Sequence, residues 1–358
     1  LGEVPLRLWI EYAHQSLFKE EVCSDTVRTF QTEDLFFAIL ASVPRGGAEG
    51  SARAVSVADS AASMLEHGTS LDTVVETVLD ALPDGEHVPF AILQVLKGSK
   101  ARVVECDAPP LFMTRGGQLV LLPVLEDISH GRLVRTCRFS LQDGDHMAMV
   151  SEGYIRAKGW SRRWGWRDIA ISTRRWTDTG CDAEQLLGAL IRTYRRLAEG
   201  EPERDVTVVS IHVRPMHTAT IWTGPPADPA QDELALNKLM MEPGTRVICG
   251  DTTAQIAAQL LGAELELEPR VERGADGEHP WAEVPPISYL EGVDLVTEGV
   301  VTLGKVQERI AGAKRARDLP GGRDGATRLA RALLSADKIH FIVGLAINPA
   351  VGQAGTWV

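Results

Sequence analysis

The chain has 358 residues, 44% of them apolar, and a formal net charge of −12. That length exceeds the ~250–300 residues at which a single core stops growing, so two domains are expected. The acidic balance disfavours nucleic acid and anionic membranes as general partners, because their phosphates would repel the field of the whole molecule.

The opening residues read as strands, Leu6 to Tyr12, Cys23 to Thr29 and Leu35 to Ala41, with the polar turn Gln31 to Asp34 between the last two. After the Gly-rich break Pro44 to Gly50, the spacing of Ala, Val and Met predicts a helix over Ala52 to Leu65, stopped by His67-Gly68. Ser70 can cap a second helix, Leu71 to Leu82. Strands return at Phe90 to Leu96, Ala101 to Cys106, Leu111 to Arg115, Leu119 to Pro123, Arg132 to Leu141 and His146 to Ser151. Helices follow at Trp166 to Thr173 and Glu184 to Ala198, and Asp205 to Val213 closes the region as a buried strand. Helices set between blocks of antiparallel strands predict an α+β sandwich.

From residue 215 onward the rhythm changes to alternating strands and helices: Thr218 to Thr223, Asp228 to Met241, Thr245 to Gly250, Thr252 to Leu261, and, after a loop at Pro269 to Pro286, further signals from Val293 to Val343. This predicts a smaller α/β domain with a parallel sheet over residues 215–358.

The five cysteines form no CxxC pair and the nine histidines form no HExxH motif, which speaks against a zinc ribbon, a disulfide framework and a histidine-built metal site, and fits a reducing cytoplasm. Leu1 to Gln15 mixes Glu3, Arg7, Glu11 and His14 into its apolar residues, so no secretory leader is expected there, and no apolar run approaches the ~20 residues of a membrane helix. A cytoplasmic protein with no membrane partner is the expectation.

Several local signatures stand in a telling order: Ser24-Asp25, Leu40-Ala41 leading to Gly46-Gly47, Asp107-Ala108-Pro109-Pro110, Leu141-Gln142-Asp143-Gly144-Asp145, Val150-Ser151-Glu152-Gly153, and Asp205-Val206-Thr207. Together they resemble the metal-dependent protein serine/threonine phosphatases (PPM), specifically the stage II sporulation protein E (SpoIIE) branch. The resemblance covers the region of residues 1–214 and implies a PPM-type β-sandwich flanked by helices. It implies two hard divalent ions, Mg²⁺ or Mn²⁺, roughly 3.5–4 Å apart, that bridge a water and polarise a phosphoryl oxygen.

Carried over position by position, the resemblance implies metal ligation by Asp25. Ser42-Val43 stands where Asp-Gly belongs, Ser151-Glu152-Gly153 replaces Ser-Asp-Gly, and Arg204-Asp205 replaces the final Asp-Asp pair. Asp25, Glu152 and Asp205 are thus the metal candidates, with Ser42, Val43 and Arg204 as degenerate positions. An Arg204–Glu152 or Arg204–Asp25 ion pair could stand in for a metal.

The main expectation is a phosphatase-fold regulator, a pseudophosphatase with weak or no catalysis and no metal, acting on a phosphoprotein or regulatory protein partner. The alternatives are an active Mn²⁺/Mg²⁺-dependent phosphoprotein phosphatase using Asp25 and Glu152, and an anion or nucleotide sensor in the second domain. For the sensor, Gly250, Thr252 and Thr253 form a strand–glycine–helix turn suited to a small anion, although a plain helix cap explains the turn equally. Arg162, Arg163 and Trp164, in a stretch rich in arginine and tryptophan, are candidates for docking an acidic or phosphorylated partner.

Overall fold

A computed structural model describes residues 7–19, 21–44, 46–83, 85–156, 166–178, 180–198, 202–268 and 284–346. The chain divides into two compact units, Leu1–Pro215 and Met216–Val358.

In the first unit, strands β1 (Leu8–Leu17), β2 (Asp25–Gln31) and β3 (Leu35–Ser42) precede helices α1 (Gly47–Glu66) and α2 (Leu71–Ala81). Then come β4 (Phe90–Leu96), β5 (Lys100–Cys106), β6 (Phe112–Arg115), β7 (Gln118–Leu119), β8 (Leu125–Ser129), β9 (Arg132–Ser140) and β10 (His146–Val150). Helices α3 (Glu152–Ile155), α4 (Trp166–Thr177) and α5 (Ala183–Ala198) lead into β11 (Val206–Pro215). One sheet has the order β1-β11-β10-β6-β7 and the other β2-β3-β4-β5-β9-β8.

Period-2 alternation builds the layers. On β3, Phe36, Ala38 and Leu40 point inward against Met147, Met149, Val209 and Ile211 of the other sheet, while Phe37, Ile39 and Ala41 point outward under α1 and α2. On the far side, Val150, Val206 and Val208 meet Leu186, Leu190 and Tyr194 of α5. The result is a helix–sheet–sheet–helix sandwich, the α+β architecture expected.

Two local expectations differ from the structure. Leu119 to Pro123 contributes only two strand residues, whereas β8 forms just beyond it with Leu125, Glu126, Asp127 and Ile128 all exposed, so no alternation marks it in the sequence. The Gly-rich break is also shorter than expected. Helix α1 begins at Gly47, where Gly46 and Gly50 allow close packing: a Cβ at Gly46 would lie 2.5 Å from the Gly50 Cα.

The second unit comprises β12 (Thr218–Thr223), α6 (Asp232–Met241), β13 (Thr245–Cys249), α7 (Asp251–Leu261), β14 (Glu266–Leu267), β15 (Ser288–Leu290), β16 (Val293–Thr297), α8 (Val300–Ala311), α9 (Gly325–Ser335) and β17 (Lys338–Val343). Its sheet runs β14-β15-β16-β13-β12-β17. The pairs β16–β13, β13–β12 and β12–β17 are parallel, and β14 and β15 are antiparallel additions at one edge. Helices α6 and α7 cover one face through Leu236, Leu239 and Ala257, and α8 and α9 cover the other through Val306, Leu329 and Ala330.

Candidate functional site

The short turn between β2 and β3 fixes their register and places Asp25 directly opposite Ser42. Asp25 is 7% exposed and Ser42 5%. From the other sheet come Ser151, at the end of β10, and Thr207, on β11, which are joined because the Thr207 amide donates to the Ser151 Oγ at 2.9 Å. Thr207 also shares a 2.7 Å hydroxyl–hydroxyl bond with Ser16.

Burial pushes the Asp25 carboxyl up from its ordinary value of 3.8, while the hydroxyls of Ser42, Ser151 and Thr207 pull it down and the nearby Asp205 carboxylate pushes it up again. The Oδ2 atom of Asp25 is buried and makes no hydrogen bond. The group near Asp25 is therefore built of hydroxyls, with one carboxylate that is poorly compensated.

The remaining acidic candidates have partners elsewhere. Glu152 opens α3, where its Oε2 accepts from Arg204 at 3.1 Å and its Oε1 meets Arg156 at 2.5 Å. Of the two ion pairs considered for Arg204, the one with Glu152 is formed. Asp205 precedes β11 rather than lying in it, so strand alternation does not dictate its direction. Its Oδ1 accepts from the Lys19 amide at 2.8 Å, and its Oδ2 accepts from the Ser24 amide and hydroxyl, both at 2.6 Å. Val43 is 9% exposed and its amide donates to the Ser24 carbonyl at 3.1 Å, tying the end of β3 to the start of β2.

Gly153 has a steric role. A Cβ there would lie 2.1 Å from the Asp205 carbonyl oxygen, so only glycine lets α3 seat against the entry to β11.

In the second unit, Gly250 takes φ +121° between β13 and α7, and its amide donates to the Thr297 carbonyl at 2.8 Å. Thr252 is exposed and Thr253 is buried. At the neighbouring turn the Glu298 carboxylate accepts from the Val301 and Thr302 amides, both at 3.1 Å, so the start of α8 is capped by the chain's own anion. Arg162, Arg163 and Trp164 lie outside the described residues.

Sequence reasoning named Asp25, Ser42, Glu152 and Arg204 but missed the Ser151 and Thr207 hydroxyls as the neighbours that matter to Asp25. No local signal marked them, because Thr207 reaches Ser151 only through the pairing of β10 with β11. It also missed the ion pair of Arg115 with Asp145, in which the carboxylate is fully buried.

No family model and no curated protein sequence matches the chain. Among solved structures, the chain is similar to the PP2C phosphatase domain, with a fragment of the regulatory domain, of the cell fate determinant SpoIIE from Bacillus subtilis. That match has 16% identity and a TM-score of 0.50 and covers 59% of this chain and 63% of that one. A second match, to the RsbU and RsbW domains of a Mycobacterium tuberculosis protein, has 15% identity and a TM-score of 0.50 and covers 73% of this chain and 71% of that one. The matched part of the chain thus has the fold of PP2C-type (PPM) phosphatase domains. No helix among the described residues is long and apolar enough to cross a membrane.

The burial of Asp25 has a measurable consequence. Because its folded pKa is raised, the contribution to stability is full below 3.8 and is lost as the pH rises through the folded value. At neutral pH the ionised side chain opposes folding. Asp25→Asn is expected to relieve about 1 kcal/mol, the scale of a buried group lacking its bonds, and to raise Tm at pH 7 by on the order of 3 °C. The gain should shrink as the pH is lowered toward 3.8. Thermal melts of both proteins across this range provide the check, and an Asn variant less stable at pH 7 would contradict it.

Proposed function

We propose that this chain is a SpoIIE-like regulator on the PPM phosphatase fold, with weak or no catalysis, that acts by binding a regulatory protein or phosphoprotein partner. The observation that carries this reading is the commitment of the carboxylates: Glu152 is neutralised by Arg204 and Arg156, and Asp205 accepts three hydrogen bonds from Lys19 and Ser24. Only Asp25 keeps an uncommitted oxygen, and Ser42 faces it with a hydroxyl. Two divalent ions carry four positive charges and require a ring of anionic and carbonyl oxygens. Among the described residues no group of three or more His, Cys, Asp or Glu side chains could hold a metal ion. The residues present do not fit a two-metal centre.

Calorimetry with Mn²⁺ is expected to give no saturable heat, and p-nitrophenyl phosphate no turnover above background. The free Oδ2 of Asp25 favours the second reading, an active Mn²⁺- or Mg²⁺-dependent phosphoprotein phosphatase using Asp25 and Glu152. Saturable metal binding, with turnover that follows it and disappears in Asp25→Ala, would replace the first reading by the second. The third reading, an anion or nucleotide sensor at Gly250, Thr252 and Thr253, would rest on the second unit alone.

A further inference from the structure

A cleft of about 600 Å³ lies in the second unit between β12, β17 and α6. Strand pairing sets its floor. Thr220 of β12 and His340 of β17 are register partners in the parallel pair, so both side chains project from the same face as Trp222 and Ile342. The same face carries the apolar Trp222, Ile248 and Ile342 together with Thr218, Lys338 and Arg246, the last of which donates to the Met240 carbonyl at 3.0 Å. Yet Thr220 is 1% exposed, its Oγ1 makes no hydrogen bond, and the buried Nε2 of His340 makes none either.

Two uncommitted polar atoms on adjacent strands, opening into the same cleft, are what a bound polar group would satisfy. The indole N–H of Trp222 is already used on the Gly224 carbonyl at 2.9 Å, which leaves its ring as apolar wall. The mouth is fixed, since the Gly344 amide donates to the Thr223 carbonyl and the Ala346 amide to the Pro225 carbonyl, and a Cβ at Gly344 would lie 2.1 Å from the Pro225 oxygen.

The charges around the cleft select the ligand. Lys238 is the one lysine or arginine in the lining and has no ion-pair partner among the described residues, while Asp228 and Glu242 stand in the same lining. The Thr220 hydroxyl, the His340 imidazole in its Nε2–H tautomer and the Lys238 ammonium each offer a donor from the lining. The Asp228 and Glu242 carboxylates repel a phosphate dianion about twice as strongly as a monoanion, whose single charge Lys238 can offset. A volume near 600 Å³ with apolar walls such as Leu234, Ile342 and Leu345 suits a compact apolar body. We propose that this cleft binds a small amphipathic monocarboxylic acid, carboxylate inward toward Thr220 and His340, apolar body against Leu234 and Leu345.

The test uses the full chain and calorimetric titration with octanoate and indole-3-acetate, against 1-octanol, octylamine and inorganic phosphate. Saturable submillimolar binding of the carboxylates is expected, with the alcohol, amine and phosphate at least about tenfold weaker. Thr220→Val, which keeps the shape, and Lys238→Gln, at an exposed position, should each weaken carboxylate binding by about tenfold. Thr220→Val should also raise the Tm of the ligand-free chain by removing the unpaired hydroxyl. Carboxylates that fail to saturate in the millimolar range, equal affinity for octylamine or phosphate, or unchanged affinity in a folded Thr220→Val chain would each overturn the assignment.

Discussion

A chain carrying Ser42→Asp together with Arg204→Asp is expected to bind Mn²⁺ about 10³-fold more tightly than the parent chain. The first substitution adds one negative charge and the second replaces a positive charge by a negative one, a change of −3 close to Asp25 and Glu152. A unit charge pair at ~4 Å is worth ~4 kcal/mol at an effective dielectric near 20, which alone corresponds to three decades of affinity. Removing Arg204 also releases Glu152 from one of its two cations. The carboxylate introduced at position 42 would face Asp25 across the β2–β3 ladder, so the metal-free variant should be less stable than the parent. Added Mn²⁺ should then raise its Tm by mass action while leaving the parent unmoved. Calorimetry and melts with and without the ion measure both effects. A folded double variant that binds Mn²⁺ no better than the parent would show that carboxylate count is not what decides occupancy.

Arg115→Ala is expected to have the largest effect on stability. Asp145 is fully buried, its two oxygens receive Arg115 Nε and a terminal guanidinium N–H at 2.7 and 2.8 Å, and its Oδ2 also accepts from the Gln142 amide at 2.7 Å. The same guanidinium donates to the Ser140 carbonyl, so it ties β6 to the β9–β10 turn. Removing it strands a buried carboxylate, a change that typically costs ~3–5 kcal/mol. For a unit of this size that lowers Tm by roughly 10 °C. Differential scanning calorimetry reads the loss directly. Replacing Arg115 and Asp145 together by apolar residues should recover part of it, because the stranded charge is gone.

The parts of the fold that were legible in the sequence are those governed by local periodicity. Leu186, Leu187, Leu190, Ile191, Tyr194 and Leu197 announce α5 because every third or fourth residue faces the sheet. The hairpin of β2 and β3 was legible as two strands about the turn Gln31 to Asp34, but not the register that sets Asp25 against Ser42. What local pattern could not give were directions in loops and neighbours across long separations. Asp205 turns toward Lys19 and Ser24 because it lies just before its strand. Thr207 meets Ser151 only once β10 and β11 pair. Likewise, the cleft in the second unit depends on β17 adding beside β12, more than a hundred residues earlier, and neither Thr220 nor His340 carries any sign of that in its own surroundings.

The seam between α3 and the entry to β11 bears on how such chains are recognised. Since any side chain at position 153 would collide with the Asp205 backbone, the glycine of the Ser-x-Gly triplet is demanded by assembly of the sandwich whether or not ions are held nearby. A lineage that abandoned hydrolysis would keep that letter for as long as it kept its architecture. The triplet therefore vouches for the scaffold and is no mark of turnover.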